Sequence, residues 1–187
     1  WGNNGFGQLG TGNKEKSNYA IKVKAPSGLQ GYLGDIADIV DISAGGGFSG
    51  VITRKGEVYA FGYNDQGQLG IGNTTNQLLP VKSNINNVIS TSLGYWHTLA
   101  LKTDGTVWSV GYNRSGQLGL GNNTNQSTFK KITDNVVEIS AGVRSSAILK
   151  EDGKVYAFGY NDYGQLGLGD NTNRNVPTEV KIEVSNG

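Results

Sequence analysis

A ten-residue pattern recurs four times along this chain. It reads Trp1-Gly2-Asn3-Asn4-Gly5-Phe6-Gly7-Gln8-Leu9-Gly10 at the start and returns at Phe61 to Gly70, Val110 to Gly119 and Phe158 to Gly167. Each copy holds a bulky apolar residue, a Gly, an Asn three positions after the bulky residue, and then Gly-Gln-Leu-Gly. That tetrapeptide begins at Gly7, Gly67, Gly116 and Gly164, a spacing of 60, 49 and 48 residues. Self-similarity at such a period marks stacked repeat units or propeller blades, and it overrides any domain count based on length.

A second pattern lies between the copies. It opens with Ile42-Ser43-Ala44-Gly45, Thr91-Ser92-Leu93-Gly94 or Ile139-Ser140-Ala141-Gly142. An apolar run follows and ends in Lys55-Gly56, Asp104-Gly105 or Asp152-Gly153, after which Val58, Val107 or Val155 starts another β-rich run. Two such runs joined at a Gly predict a hairpin, with a type I′ turn at Asp-Gly. Asn-rich loops, at Gly72 to Asn76 and its counterparts, precede a further short strand. In two copies a Pro, Pro80 or Pro177, precedes this strand, where a missing N–H suits an edge or a strand's first residue. Each unit therefore holds about four short strands, as one propeller blade does. The axial glycines Gly45, Gly94 and Gly142 suit tight turns and close backbone approach.

The predicted fold is all-β: a β-propeller of about 50-residue four-stranded blades, with about three complete blades and a partial one in a single segment over 1–187. Units counted from motif to motif run approximately 1–60, 61–109, 110–157 and, partial, 158–187. The longer first interval places its excess at 25–35, where Leu29, Tyr32 and Leu33 accompany Pro and Gly. The stretch reads as a loop leaving the blade, and loops on rigid scaffolds often carry function.

Composition removes several classes of function. Lys and Arg number 16 against 15 Asp and Glu, which gives no basic footprint for nucleic acid. No apolar run is long enough to span a bilayer as a helix. The chain contains no Cys, which excludes disulfides and thiolate chemistry, and a single histidine, His97. The absence of Cys tilts the expected setting toward a secreted or surface protein of bacterial origin over the cytoplasm.

The stretch Leu93-Gly94-Tyr95-Trp96-His97-Thr98-Leu99-Ala100-Leu101-Lys102-Thr103-Asp104-Gly105-Thr106-Val107-Trp108, with the four Gly-Gln-Leu-Gly copies, resembles the regulator of chromosome condensation repeat family. The resemblance covers nearly the whole chain and implies a β-propeller, which in this family usually has seven blades. Only one unit keeps the family His, at His97; Phe48 and Ser145 stand at its counterparts. About half a ring is present, so the expectation is that further blades lie elsewhere in a longer protein or that a homodimer completes the ring.

A catalytic site is not expected, because a nucleophile needs a base within hydrogen-bond reach and His97 alone could serve. Within the family resemblance, His97 is expected to stitch backbone inside a blade. No metal or other cofactor is expected, since Asn and Asp in the loops serve their own turns. The predicted function is non-enzymatic protein binding, by residues that follow the axial glycines and by the insertion. The candidate residues are Phe48, Tyr95, Trp96, His97, Arg144, Leu29, Tyr32 and Leu33. Tyr, Trp and Arg are the types enriched at binding hot spots. Alternatives are exchange-factor-like regulation of a small GTPase and a purely architectural role.

Overall fold

The computed structural model describes residues 1–181. Among the described residues, twelve strands form three separate four-stranded antiparallel sheets. The first holds β1 (Ile39–Ala44), β2 (Phe48–Thr53), β3 (Val58–Gly62) and β4 (Gln77–Lys82). The second holds β5 (Val88–Leu93), β6 (His97–Lys102), β7 (Val107–Gly111) and β8 (Gln126–Thr133). The third holds β9 (Val136–Ala141), β10 (Ser145–Lys150), β11 (Val155–Gly159) and β12 (Arg174–Glu179). Strand order follows sequence order in each sheet, so every blade is a simple meander. Residues 1–24 repeat the loop of a preceding blade, and residues 17–24 stand where an outer strand would follow but form only isolated bridges, Gly2 to Ser17 as Gly62 is paired with Gln77, and Lys24 to Tyr32.

The first strand of each sheet is axial, since β1 meets β5 and β5 meets β9. Backbone bonds join the blades there, from Gly46 N–H to the Gly94 carbonyl and from Tyr95 N–H to the Gly142 carbonyl. A Cβ on Gly94 would stand 2.5 Å from the Gly142 oxygen, so this approach requires glycine.

The core lies between sheets. Ile52 and Val58 of the first blade pack on Val88, Ala100, Val110 and Phe129 of the second. Leu99, Leu101 and Val107 of the second blade pack on Val136, Ile139, Ile148 and Phe158 of the third. The second sheet is therefore covered on both faces, and its β6 is buried along nearly its whole length. Burying a Leu or Phe fully contributes roughly 1.5–3 kcal/mol, so these contacts dominate blade stacking.

The Gly-Gln-Leu-Gly tetrapeptide belongs to the loop between third and fourth strands and locks each blade to the next. Ser49 Oγ donates to the Gln8 carbonyl, Thr98 Oγ1 to Gln68 and Ser146 Oγ to Gln117, each at 2.8 Å. A Cβ on Gly67 would lie 2.7 Å from Ser127 Cα of the following blade, which explains the glycine. The motif's Asn pins the same loop: Asn113 Nδ2 donates to the carbonyls of Asn122 and Thr124, and its Oδ1 accepts Leu118 N–H. Asn4, Asn64 and Asn161 repeat these bonds, and all four are fully buried.

Three expectations require correction. The hairpins form where predicted, but their turns are not type I′. Gly105 N–H bonds Lys102 O and Lys102 N–H bonds Thr106 O, a three-residue loop in which Gly105 takes positive φ and Asp104 does not. This is a type I turn followed by a glycine bulge. The fourth strand carries Pro80 and Pro177 within it, at the outer edge of the sheet, where the missing N–H faces away from the ladder. The stretch 25–35 returns to the body of the protein. Ala25 N–H bonds Gly31 O, Leu33 N–H bonds Val23 O, and a short helix α1 (Leu33–Ile36) follows.

Blades also start elsewhere than the motif-to-motif units. Each unit joins the outer strand of one blade to the inner strands of the next, because the tetrapeptide sits in mid-blade. The expected fourth unit ends with 182–187, which lie outside the described residues.

Candidate protein-binding face

In a meander, the loops between first and second strands and those between third and fourth strands emerge on the same face. Gly45 to Gly47, Tyr95-Trp96 and Val143-Arg144 form the inner set on this face. Tyr63, Tyr112 and Tyr160 follow the third strands beside them. The two sets are tied by backbone: the N–H groups of Tyr63, Tyr112 and Tyr160 donate to the carbonyls of Gly47, Trp96 and Arg144, each at 2.9 Å.

Side chains gather where the second and third blades meet. The Trp96 ring lies edge-on to Tyr95, centroids 4.8 Å apart, and to Tyr112 at 5.4 Å. From the third blade, the Arg144 guanidinium lies 5.7 Å from the Trp96 centroid. Tyr95 reaches the other way, over Gly46 of the first blade, where a Cβ would stand 2.8 Å from its ring. Tyr95 is 45% exposed and its neighbour Val143 65%. Aromatic pairs of this geometry prefer such tilted contacts and fix the rings in place. At Tyr160, a hydrogen bond to Asp162 pushes the phenol above its usual range.

The candidate residues divide by burial. Tyr95, Trp96 and Arg144 come together as one cluster. Phe48, at 2% exposed, His97, fully buried, and Leu33, at 2%, cannot touch a partner. Phe48 and His97 lie where adjacent blades press together and Leu33 packs on Val51 and Phe61 of the first blade, so their apolar or aromatic character serves packing. Leu29 and Tyr32 are exposed but line a separate hollow with Lys24, Pro26 and Leu79 of the outer strand. Tyr112 and Tyr160 were not among the candidates. Their signal was the Tyr that follows the third-strand Gly in three of the four copies.

His97 holds blades together. Its Nε2 lies 2.9 Å from Ser146 Oγ of the third blade, and burial pushes the imidazole down to about 4. Among the described residues no three His, Cys, Asp or Glu converge as a metal site, and no helix is long and apolar enough to cross a membrane.

The sequence profile of the Regulator of chromosome condensation (RCC1) repeat matches residues 1–52, 55–101, 104–149 and 152–186. The chain belongs to the RCC1 repeat family. Its inter-blade lock, buried Asn pins and axial glycines are thus the physical content of the RCC1 repeat in this protein. Among relatives, a bifunctional serine/threonine-protein kinase/NEDD4-like E3 ubiquitin-protein ligase of Dictyostelium discoideum is 37% identical over 112 residues, 54% of this chain and 6% of that protein. The secretion-regulating guanine nucleotide exchange factor of Mus musculus is 39% identical over 74 residues, 40% of this chain and 14% of that protein. Human WBSCR16 superposes with a TM-score of 0.75 at 26% identity, over 96% of this chain and 46% of that one. Prp20p of Saccharomyces cerevisiae gives 0.78 at 22% identity, over 97% and 45%, and shows the shared fold. This RCC1 segment spans under half the length of each of these proteins.

Proposed function

We propose that this RCC1 segment is a non-enzymatic protein-binding module whose docking face is built on Tyr95, Trp96, Tyr112 and Arg144. The observation that carries the reading is the Trp96 ring held between two tyrosines and an arginine from the neighbouring blade. Rigid aromatic anchors bury apolar area at low entropic cost, and Arg adds a directional charge. Relatives support a binding role: the yeast propeller of this fold has been described bound to Kap60 and with binding to Gsp1p and histones. The relatives named above are eukaryotic, and they lend no support to a bacterial secreted setting.

The test is affinity capture with the intact chain and a Trp96→Ala/Arg144→Ala variant of equal stability. Partners held by the first and lost by the second support this face; an unchanged partner set sinks it. A second reading, exchange-factor-like regulation of a small GTPase, draws on the mouse exchange factor's similarity. Accelerated release of a labelled guanine nucleotide from a small GTPase would favour it. Pairing of two chains into one ring would give a solution mass near twice 19.8 kDa by light scattering. A mass near 19.8 kDa with no captured partner would leave the architectural role.

A further inference from the structure

The outer strands of the three blades hold the same place in their sheets but do not present the same edge. In the first and third blades this strand has six residues and carries a proline within it, Pro80 or Pro177. In the second blade β8 has eight residues and holds Phe129 at that position. The register is shared: Gly62 pairs with Gln77 and Ala60 with Val81, as Gly111 pairs with Gln126 and Ser109 with Lys130. Proline has no N–H, so the ladder to the third strand does not draw on this position. The Phe129 N–H is thus free of the ladder, and no loop bonds it among the described residues. The Ser127 carbonyl accepts Gly72 N–H from the preceding blade; beyond Ser127 no backbone bond from outside the sheet reaches β8 among the described residues.

A second difference lies in charge. Lys82 reaches across the third strand of the first blade to Glu57 at 2.7 Å, and Lys154 reaches across that of the third blade to Glu179 at 3.4 Å. Thr106 stands at the position of Glu57 and Lys154, so Lys131 lacks such a partner and pairs with Asp134 on its own segment. Lys130 has no carboxylate partner among the described residues. Both lysines are exposed, and as successive strand residues they leave on opposite faces. Packing accounts for the Phe129 ring, which lies with Ile52 and Val58 between blades. It requires neither the two extra residues nor the loss of the cross-strand ion pair.

We propose that the outer edge of β8, from Thr128 to Thr133, docks an extended acidic segment of another protein, which adds to the sheet as a further strand. Backbone pairing supplies the affinity, with the Phe129 N–H among the donors. Carboxylates on neighbouring residues of the segment, one on each face of the added strand, meet Lys130 and Lys131. Charge decides the occupant. Two copies of β8 paired about these residues would set lysines against lysines, which destabilises a sheet, whereas a carboxylate opposite either one stabilises it. Pro80 and Pro177 close the equivalent edges of the other two blades to the same strand. The site lies on the rim of the propeller, apart from Trp96 and Arg144, and goes beyond the loop face proposed above.

The probe is a fluorescein-labelled heptapeptide, Val-Thr-Glu-Glu-Val-Thr-Val, titrated with the full chain at low ionic strength, where charge pairs are least screened. Expected is a saturable rise in anisotropy with one-to-one stoichiometry. Affinity should fall at least tenfold for Lys130→Glu/Lys131→Glu, and equally for the peptide N-methylated at both glutamates, which keeps its charge and loses the ladder. Both lysines are exposed, and circular dichroism verifies that the variant folds. At saturation, exchange of the Phe129 amide should slow at least tenfold while β4 and β12 are unchanged. Absence of binding, equal binding of the N-methylated peptide, or protection elsewhere than β8 would overturn the proposal. Concentration-dependent slowing of Phe129 exchange in the chain alone would also overturn it, since a second copy would then be the occupant.

Discussion

His97 and Ser146 meet across the gap between the second and third blades, Nε2 to Oγ 2.9 Å. The Ser146 hydroxyl gives its one proton to the Gln117 carbonyl at 2.8 Å, so its oxygen must accept from His97. The imidazole is therefore neutral with its proton on Nε2, and its buried Nδ1 has no partner. Protonation would place a charge inside the interface. With the folded value near 4 and an ordinary value of 6.5, the unfolded chain binds the extra proton first as pH falls.

The pH dependence follows from that sign. Stability is complete above about pH 6.5 and declines by about 1.4 kcal/mol per pH unit toward pH 4, roughly 3 kcal/mol in all. Below that the His97 contribution is flat. Urea unfolding between pH 7 and 5, above most carboxylate titration, measures the slope. Because His97 is the only histidine, His97→Phe should remove it. The same slope in the variant would show that His97 is not its source.

The buried Asn pins predict a stability contrast within one loop. Asn113→Ala strips partners from Leu118 N–H and from the carbonyls of Asn122 and Thr124 at a fully buried site. Leaving such groups unsatisfied costs about 1–3 kcal/mol each where water cannot reach them, so a loss of at least about 2 kcal/mol is expected. Asn123→Ala, on the exposed side of the loop, should cost under about 0.5 kcal/mol. Denaturant midpoints of the two variants decide the matter; equal midpoints would refute the pin.

Much of this architecture was legible in the sequence, because the repeat places one residue type at one structural duty. Gly-Gln-Leu-Gly, the hairpin glycines and the Asn three residues after the bulky position announced blades and turns. What was hidden is which side of a strand faces a neighbour. Phe48 and His97 follow the axial glycines as Arg144 nearly does, yet a one-residue step in a strand reverses direction. Trp96 and Arg144 precede the second strand and point outward; Phe48 and His97 begin it and point between blades. The turn type was also hidden, since Asp-Gly suits both a type I′ turn and a type I turn with a glycine bulge. Leu33 looked like a loop residue because its partners, Val51 and Phe61, are distant in sequence.

Two glycines of similar φ should respond very differently to a methyl group. Gly111 has φ of 110°, and a Cβ would lie 2.5 Å from the Trp96 carbonyl oxygen. Gly153 has φ of 81° with nothing within 4 Å. Gly153→Ala therefore costs only the left-handed conformation, about 1–2 kcal/mol. Gly111→Ala adds a clash with backbone beneath the aromatic cluster, and a loss above about 4 kcal/mol or failure to fold is expected. Thermal melts of both variants suffice. Comparable losses would mean that the close approach at Gly111 is relieved by backbone movement.

The insertion provides the last contrast, between two leucines four residues apart. Leu33 lies in the cluster of Val51 and Phe61, with Val23, Ala37, Ile39 and Tyr59 around it, and is 2% exposed. Leu29 is 57% exposed at the tip. Leu33→Ala should cost about 2–4 kcal/mol through lost burial and the cavity left behind, while Leu29→Ala should cost under about 0.5 kcal/mol. Because every residue around Leu33 belongs to the first blade or to the segment leading into it, the loss should be local. Hydrogen exchange should accelerate in β1 and β2 of Leu33→Ala while β6, covered on both sides by the neighbouring blades, stays protected. Acceleration spread evenly over all three blades would instead make the stack one cooperative unit, with Leu33 a member of its common core.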